Sequence, residues 1–486
     1  MKFESLLAGH GALHLHGGEA EILDLTCDSR EVQPGWAFVA LKGEKSHGAD
    51  FIPAVIAKGA AAVILDDPDR PLPEGLASAL LPTARADMGL LAKRLQGAPD
   101  ERLKLIGVTG TNGKTTTTTL IRQLLRASGI GCGLVGTVLN AAGDREEEAV
   151  RTTPESPSFY RWLHRSVEAG DRAAAVEVSS IGLELGRVAG ARFKVGVFSN
   201  LTQDHLDFHG DMESYFRAKH ALVGMCDRFL VNADDPYGRR LLAEGRHRSY
   251  GLEQATDYRV VDLQESATGT RFTLVTPEGS HAVASPLLGR FNVYNLLAAL
   301  AAVSEAGFEL SELLPAVSKL TGAPGRLERV DCGQPFGVMV DYAHTPDALL
   351  KLLAAGKALL PAGGRLHVLF GCGGERDRTK RPLMAAAVAQ GADVIWHSTD
   401  NPRNEDIEQI LDDAMPGIPE ALRTDPARYH RIADRALAVR EALADCRPGD
   451  LLLLAGKGHE PYQEIAGVKH PYSDRGAVEA ALGGTP

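Results

Sequence analysis

The chain has 486 residues, and its 63 Asp and Glu outnumber its 52 Lys and Arg, which gives a formal net charge of −11. This length suggests about three domains of roughly 150 residues, each large enough to bury its own core. A net acidic chain with 44% hydrophobic residues is typical of a globular protein. It lacks the overall positive field that nucleic acids or anionic membranes attract, so any phosphate must be bound by a local loop.

No apolar stretch approaches the roughly 18–20 residues that cross a bilayer, and the first residues lack the continuous apolar core of a signal peptide. The six cysteines are scattered without C-x-x-C spacing, which favours neither a disulfide framework nor a zinc site. We therefore expect a cytoplasmic, monomeric protein with no membrane partner and no nucleic-acid partner.

Two junctions rich in Pro and Gly, at 97–100 and 321–325, divide the chain into predicted domains of residues 1–99, 100–325 and 326–486. The second domain opens with the apolar run 103–108, a glycine turn and an amphipathic helix. In the third domain, apolar runs alternate with helical patterns, which predicts a mostly parallel sheet and an α/β fold class. Its predicted strands are 337–341, 366–371, 393–397 and 450–455, and its predicted helices are 346–359, 381–390, 406–414 and 434–444.

A polar segment follows each predicted strand of the third domain. These segments are 341–344, 371–377, 400–403 and 456–460. Ligands of open α/β sheets bind at the carboxyl ends of the strands, so we expect the four loops to converge on one crevice.

A phosphate-binding loop is predicted between the first strand and helix of the second domain. Its glycines let backbone N–H groups turn toward phosphate oxygens, and the helix N-terminus adds partial positive charge. Lys114 would reach the β- and γ-phosphates, and the Thr115 hydroxyl would bind Mg²⁺. The pattern G-x-x-x-x-G-K-[ST] is not fully met, because Val108 stands where its first glycine belongs. A glycine turn with an exposed lysine is the alternative, but the strand–loop–helix context favours ATP, bound by Gly110, Thr111, Asn112, Gly113, Lys114, Thr115 and Thr116.

The segment 109–116, TGTNGKTT, resembles the phosphate loop of the Mur ligases and their folylpolyglutamate synthetase relatives, which are ATP-dependent enzymes that join a carboxylate to an amine. Further segments resemble this family in its order: TTP at 152–154, EVSS at 177–180, NLTQDHLD at 200–207 and DYAHTP at 341–346. The resemblance covers nearly the whole chain. It implies a three-domain α/β architecture with an N-terminal domain that binds a UDP-sugar, a central P-loop ATPase-like domain and a Rossmann-like C-terminal domain that binds the incoming amino acid.

The resemblance also implies the chemistry. ATP phosphorylates a carboxylate to an acyl phosphate, which a neutral amine then attacks. Thr115, Glu177 and His205 correspond to magnesium ligands, and Lys219 to a lysine that carries CO₂ as an anionic carbamate ligand. Taken alone, Glu177 could be a solvated residue at a strand end, His205 a structural histidine and Lys219 a surface lysine. Carbamylation requires a neutral amine, so we expect the Lys219 pKa to be lowered by partial burial. Lys114, Glu177, His205 and Lys219 are the predicted catalytic residues.

Four more residues correspond to nucleotide contacts. Asn292 and Asn295 would face the adenine, although Asn at a helix start is more often a cap. Arg326 and Asp341 resemble the family's contacts to ATP from the third domain.

The first substrate implied is UDP-N-acetylmuramoyl-L-alanyl-D-glutamate, an intermediate of peptidoglycan synthesis. Ser29, in the segment CDSR, corresponds to its uridine-diphosphate end, although a capping serine in a short turn is the alternative. Its muramoyl-dipeptide part corresponds to Thr152, Thr153, Ser179 and Arg187. The chain departs from the family at Ile181 and Leu185, where a histidine and a glutamine are common.

The segment Asp400-Asn401-Pro402-Arg403 discriminates between incoming amino acids. Pro402 stiffens the turn, Arg403 can bind a carboxylate through two parallel N–H bonds, and Asn401 offers a donor and an acceptor. The same segment marks the family members that add diaminopimelate, whose other contacts match Arg376, Gly456 and Glu460, with Glu375 in place of an aspartate. A guanidinium favours the distal carboxylate of meso-2,6-diaminopimelate over the lone ammonium of lysine.

Two alternatives remain at this point. The same kind of enzyme could add lysine, or extend a folate or other polyglutamate chain. A catalytically silent protein could instead use the phosphate loop as a nucleotide sensor, although Lys114, Glu177, His205 and Lys219 argue against this.

Overall fold

The computed structural model describes residues 1–43, 46–245, 247–266 and 269–483. The chain divides into two compact units, Met1–Tyr258 with Ala298–Ala316, and Arg259–Leu297 with Val317–Pro486. Helices and strands alternate in both units, so the α/β fold class is confirmed. The three predicted domains and their boundaries stay a prediction. Among the described residues, no helix combines the length and apolar character that a membrane crossing requires.

The first unit begins with a five-stranded sheet in the order β1-β5-β4-β3-β2, parallel except for β1 at one edge. The elements are α1 (Phe3–Leu7), β1 (Leu13–His16), β2 (Asp24–Thr26), β3 (Trp36–Ala40), α2 (Ile52–Ala57), β4 (Ala62–Leu65), β5 (Ala77–Leu80) and α3 (Ala84–Leu95).

A second sheet of the first unit has the strand order β13-β12-β11-β6-β10-β7-β8-β9. Its strands from β13 to β7 are parallel, whereas β8 and β9 form an antiparallel edge. The strands are β6 (Lys104–Thr109), β7 (Cys132–Val135), β8 (Leu139–Ala142), β9 (Arg145–Glu148), β10 (Ala173–Glu177), β11 (Phe193–Phe198), β12 (Cys226–Asn232) and β13 (Arg248–Gly251). The helices are α4 (Lys114–Ala127), α5 (Ser156–Glu168), α6 (Ser180–Glu184), α7 (Leu206–His209), α8 (Met212–His220) and α9 (Pro236–Glu244).

One hydrophobic core serves both sheets of the first unit. Phe3, Ile64 and Leu91 from the N-terminal part belong to the same buried cluster as Tyr160 and Phe193 from the second sheet. Burying these side chains stabilises the two sheets together, because each large apolar side chain contributes about 1.5–3 kcal/mol. The strands β6, β10 and β11 lie in the middle of the second sheet and are therefore almost continuously apolar.

The antiparallel strands β14 (Tyr258–Ser266), β15 (Gly269–Thr276) and β16 (Gly279–Ser285) belong to the second unit, apart from Tyr258 at the start of β14. Helix α10 (Arg290–Glu305) begins among its residues, and α11 (Leu310–Leu313) follows in the first unit. A six-stranded sheet then has the order β17-β18-β22-β19-β20-β21, parallel except for β17.

The strands of this sheet are β17 (Glu328–Arg329), β18 (Gly337–Asp341), β19 (Leu366–Cys372), β20 (Val394–Thr399), β21 (Tyr429–Arg431) and β22 (Leu451–Ala455), followed by the hairpin β23 (Tyr462–Ile465) and β24 (Val468–Pro471). The helices are α12 (Pro346–Leu359), α13 (Lys380–Gly391), α14 (Ile407–Ala414), α15 (Glu420–Arg423), α16 (Arg435–Asp445) and α17 (Asp474–Ala481). The eight predicted elements of this region are confirmed to within two residues. The prediction omitted the edge strands, the hairpin and the helices α15 and α17.

Candidate active site

The predicted phosphate loop lies between β6 and α4, at the carboxyl edge of the second sheet. Gly110 has φ +143° and Gly113 has φ +88°, conformations that L side chains rarely adopt. A Cβ atom at position 110 would also overlap the Ser199 hydroxyl. Glycine at position 110 is therefore required by both the backbone angle and the neighbouring side chain.

The loop after β11 braces the phosphate loop. The Asn112 backbone N–H donates to Asn200 Oδ1 at 2.9 Å, and Ser199 Oγ donates to the Asn112 carbonyl at 2.6 Å. Lys114 Nζ folds over the turn and donates to the carbonyls of Gly110 and Thr111, both at 2.9 Å. The loop is thus held in a fixed shape with a cation over it, as a phosphate site requires.

Glu177, the last residue of β10, is a buried carboxylate at 1% exposure whose hydrogen-bond donors are all neutral. Thr115 Oγ1 donates to Oε2 at 2.9 Å, while Thr137 donates its backbone N–H to Oε1 at 2.7 Å and its hydroxyl to Oε2 at 2.9 Å. Among the described residues, no lysine, arginine or histidine lies within ion-pair distance of Glu177. The buried Glu177 carboxylate and the Thr115 hydroxyl beside it offer the oxygen ligands that Mg²⁺ prefers, so the residues present fit this ion.

Lys219 lies on α8 directly behind the phosphate loop and is 1% exposed. Its Nζ donates to the Gly110 carbonyl at 2.8 Å and lies 4.5 Å from the centre of the Tyr215 ring. Burial lowers the pKa of Lys219 well below its ordinary value, and the nearby Lys114 lowers it further, whereas Asp204 opposes the shift. This direction is the one expected for an amine that must be neutral to react with CO₂.

His205 precedes α7 in a left-handed conformation with φ +52°. Its side chain is 48% exposed, and its Nε2 lies 3.6 Å from Asp204 Oδ2. Partial burial lowers the His205 pKa, and the cations Lys114 and Lys219 lower it further. The described residues contain no cluster of three or more His, Cys, Asp or Glu that could hold a metal, so His205 and Glu177 are not part of such a cluster.

The residues predicted to bind the muramoyl-dipeptide form a connected group beside Glu177. Thr153 Oγ1 donates to the Glu177 carbonyl at 2.8 Å and lies 3.1 Å from the Ser179 hydroxyl, which caps α6. Thr152 Oγ1 lies 3.0 Å from the Thr137 hydroxyl oxygen. Arg187 donates to the Thr153 carbonyl at 3.2 Å and pairs with Glu155 at 3.0 Å.

Ser29 is partly buried, in the turn after β2, where its carbonyl accepts from Lys58 Nζ at 2.9 Å. The neighbouring Cys27 has a pKa raised to about 12, by burial first and by the Glu155 carboxylate second. Glu155 itself pairs with Arg85 at 2.7 Å and with Arg187 at 3.0 Å.

The predicted nucleotide contacts of the second unit are all buried or partly buried. Asn292 Nδ2 donates to the Leu288 carbonyl at 2.9 Å, and Asn295 Nδ2 donates to Asn292 Oδ1 at 3.2 Å. Asp341 accepts from the backbone N–H groups of Leu327 and Ala343, and burial raises its pKa although the Arg326 guanidinium opposes the shift. The Arg326 guanidinium lies 4.6 Å from the centre of the Tyr342 ring.

The four polar loops of the third predicted domain meet, as the sequence predicts. Gly374 N–H donates to the Asn401 carbonyl at 2.9 Å, and Gly456 N–H donates to the Asp341 carbonyl at 3.0 Å. We call Asp400, Asn401, Arg403, Lys457 and Glu460 the C-terminal polar cluster. Asn401 Nδ2 donates to Glu460 Oε2 at 2.8 Å, and Lys457 contacts both of these side chains.

Arg403 has φ +52°, and the β23–β24 hairpin holds it in this conformation. Its backbone N–H donates to the Glu464 carbonyl at 3.0 Å, and its carbonyl accepts from Ala466 at 2.6 Å. The guanidinium donates to the Gly374 carbonyl at 2.7 Å, and its Nε lies 3.6 Å from Glu464 Oε2.

Three other predicted residues surround this group. Pro402 is buried, and a Cβ at Gly374 would overlap its carbonyl. Gly456 has φ +110° and lies beside Asp400. Arg376 is exposed, with its Cγ 3.6 Å from the position that a Cβ at Gly373 would take.

Sequence reasoning missed two residues of these sites. Thr137 supplies two of the three donors to Glu177, and Lys457 is the fully buried cation of the C-terminal polar cluster. The signal for Lys457 was its place in the loop 456–460. Thr137 follows a short strand and carries no comparable signal.

The chain matches three family models: the Mur ligase middle domain over residues 108–303, the Mur ligase glutamate ligase domain over 325–458 and the Mur ligase family catalytic domain over 21–86. It is 42% identical over 494 residues to a UDP-N-acetylmuramoyl-L-alanyl-D-glutamate--2,6-diaminopimelate ligase from Geobacillus thermodenitrificans, covering 99% of each chain. A solved structure of a ligase with that name has a TM-score of 0.69 and 37% identity, with 99% of each chain covered.

A Thermotoga maritima MurF ligase in complex with ADP has the same fold, with a TM-score of 0.66 at 18% identity over 94% of this chain and 96% of that one. These matches confirm the resemblance that the sequence motifs indicate. The chain therefore belongs to the Mur ligase family.

Proposed function

We propose that this protein is an ATP-dependent ligase that adds meso-2,6-diaminopimelate to the D-glutamate of UDP-N-acetylmuramoyl-L-alanyl-D-glutamate, a step of peptidoglycan biosynthesis. The observation that carries the proposal is the C-terminal polar cluster, in which the Asn401 amide donates to the Glu460 carboxylate and the Gly374 carbonyl holds the guanidinium of Arg403, two residues further along the same loop. The names of relatives about 42% identical over nearly the full chain support the same activity.

ATP would bind to the loop from Gly110 to Thr116, with Lys114 offsetting the charge of the β- and γ-phosphates. Thr115 and Glu177 would hold Mg²⁺, with His205 and a carbamate on Lys219 as further ligands. The ion would supply positive charge where the phosphoryl group is transferred. The buried, uncompensated carboxylate of Glu177 supports this assignment.

Ser29, Thr152, Thr153, Ser179 and Arg187 would bind the nucleotide-linked dipeptide and orient its terminal carboxylate. That carboxylate would attack the γ-phosphorus of ATP, releasing ADP and forming an acyl phosphate. The neutral amine of the incoming amino acid would then attack the acyl carbon, and phosphate would leave as the amide bond forms.

The C-terminal polar cluster would select the incoming amino acid. Arg403 can donate two parallel N–H bonds to a distal carboxylate, and Glu460 with Asn401 suits a distal ammonium. Lysine carries an ammonium but no carboxylate at that end, so it would offer the guanidinium no charged acceptor. Asp400, Pro402, Gly456 and Arg376 would shape the rest of this pocket. Asn292, Asn295, Arg326 and Asp341 stay predicted nucleotide contacts, and a cytoplasmic location and a monomeric state stay predictions from the sequence.

The test is a product-mass assay with ATP, Mg²⁺ and the UDP-dipeptide, run in parallel with meso-diaminopimelate and L-lysine. We expect a tripeptide product with diaminopimelate, at least about tenfold faster than with lysine, because one charge-assisted contact is worth about 1.5–3 kcal/mol. The matched control, Lys114→Met, should form neither product. Equal rates with lysine would contradict the choice of amino acid, and ATP hydrolysis that needs neither co-substrate would favour a nucleotide sensor.

A further inference from the structure

Lys457 is a fully buried cation, at 0% exposure, between two acidic residues of the C-terminal polar cluster. Its Nζ donates to Glu460 Oε2 at 2.6 Å and to Asn401 Oδ1 at 2.9 Å, and it lies 3.6 Å from Asp400 Oδ1. Asp400 Oδ1 is buried and has no hydrogen-bond partner among the described residues, so Lys457 is the cation that compensates it. Burying an ammonium is costly unless such partners surround it.

Lys457 and the Glu464 backbone N–H together fix the orientation of the Asn401 amide. Oδ1 accepts from Lys457 and from the Glu464 backbone N–H at 2.9 Å, so the amide nitrogen must point the other way, toward Glu460. An ammonium can only donate hydrogen bonds. In the reverse orientation, the NH₂ group of Asn401 would face the N–H donors of Lys457 and Glu464, and no hydrogen bond could form between them.

Lys457 also fixes the rotation of the Glu460 carboxylate. Oε2 accepts from both Lys457 and Asn401, whereas Oε1 has only the Tyr342 hydroxyl at 3.4 Å. One oxygen is therefore saturated and turned inward, and the other retains acceptor capacity.

We propose that Lys457 is a positioning residue for the incoming amino acid, because its ammonium orients Asn401 and turns Glu460 so that Oε1 receives the distal ammonium of the substrate. This inference rests on the proposed function. Lys457 itself does not touch the substrate and acts through the two side chains that it holds.

The first experiment compares steady-state kinetics of Lys457→Met and the wild-type enzyme. We expect the KM for meso-diaminopimelate to rise at least about tenfold, since charged hydrogen bonds of this kind contribute about 1.5–3 kcal/mol. The KM for ATP should change less than twofold. Lys457→Arg should recover part of the loss, because it restores the positive charge. The matched control is Lys469→Met, which removes an exposed lysine from strand β24 of the adjacent hairpin.

A KM for diaminopimelate within twofold of the wild type would overturn the proposal, and so would equal increases in the KM values of all three substrates. If Lys457→Met does not fold, as judged by thermal unfolding, Lys457→Gln takes its place in the test. Glutamine keeps a donor for Asn401 and Glu460 but has no charge.

A pH profile separates positioning from a merely structural role. Lys457, Asn401 and His459 lower the pKa of Glu460 against the effect of burial. The Tyr342 hydroxyl lies 3.4 Å from Glu460 Oε1, and burial raises the Tyr342 pKa, while the Asp400 carboxylate lies 3.6 Å from Lys457 Nζ. Without the Lys457 charge the Glu460 pKa rises, so Glu460 takes up a proton at a higher pH. As the pH is lowered, the KM for diaminopimelate should therefore begin to increase at a higher pH in Lys457→Gln than in the wild type. An unchanged profile would contradict the proposal.

The failure of this inference is distinguishable from the failure of the proposed function. If wild-type protein does not add diaminopimelate at all, the proposed function is wrong. If wild-type protein adds it and the Lys457 variants match the wild type, only the positioning role is wrong.

Discussion

The guanidinium of Arg403 is held in place by backbone geometry. A non-glycine residue at φ +52° is uncommon, and here two backbone hydrogen bonds to the β23–β24 hairpin compensate for it. Its Nη1 donates to the Gly374 carbonyl at 2.7 Å, which restricts the position of the guanidinium. The sequence motif predicted the residue, but the left-handed backbone and the hairpin that stabilises it could not be read from the motif.

We expect Arg403→Ala to raise the KM for meso-diaminopimelate about 10- to 100-fold while the KM for ATP changes little, because a charge-assisted contact to the distal carboxylate is lost. Steady-state kinetics with each substrate varied in turn will measure both constants. Arg329→Ala, which removes an exposed arginine from strand β17, is the control. Equal effects on both substrates would remove Arg403 from this role.

At the scale of elements, the end of β7 determines the position of Glu177. Gly136 follows β7 directly, and a Cβ at this position would overlap Glu177 Oε1. The carboxylate therefore occupies space that only a glycine leaves open. Thr137, the next residue, supplies two donors to the same carboxylate.

We expect Gly136→Ala to raise the Mg²⁺ concentration for half-maximal activity at least about tenfold, since displacing a packed group costs about 1–3 kcal/mol. A magnesium titration of the ligase reaction will test this. The control is Gly224→Ala, at an exposed position where an added Cβ meets nothing within 4 Å. An unchanged magnesium dependence in Gly136→Ala would argue that Glu177 does not bind the ion.

At the scale of the whole molecule, each of the two units contains a buried hydrophobic cluster of its own. In the second unit, the fully buried His397 of β20 stacks on Phe370 with ring centres 4.9 Å apart, and its Nδ1 lies 2.9 Å from the Tyr429 hydroxyl. Burial lowers the pKa of His397 from 6.5 to about 3, with a smaller contribution from Arg431. Its neutral form is therefore strongly favoured in the folded state.

Because the folded-state pKa is lowered, the stabilising contribution of His397 is complete above pH 6.5 and is lost as the pH falls toward 3. Between pH 7 and pH 5, we expect the free energy of unfolding of the second unit to fall by about 2 kcal/mol from this residue alone. Denaturant unfolding followed by the fluorescence of Trp396, the one tryptophan in this unit's sequence, will measure it in a protein whose Trp36 and Trp162 are replaced by phenylalanine.

His397→Phe should show a smaller loss of stability over the same pH range. His470→Phe, at an exposed position in β24, should lose as much as the wild type. Identical pH dependence in the two variants would show that His397 does not titrate as described.

The sequence by itself determined the family, the α/β class and the position of the phosphate loop. These features depend on local patterns, because hydrophobic periodicity, glycine turns and contiguous motifs are encoded by residues close together in the chain. The eight helices and strands predicted for the C-terminal region agree with the structure to within two residues for the same reason.

Only the tertiary structure decided which side chains hydrogen-bond to, or balance the charge of, the buried polar residues. The contact between Thr137 and Glu177 and that between Lys457 and Asp400 join residues that are 40 and 57 positions apart, and no local pattern encodes such pairs. The lowered pKa of Lys219 likewise depends on burial behind a loop more than 100 residues earlier in the chain. Burial and charge compensation are properties of the packed structure, whereas a motif specifies only the residues that take part.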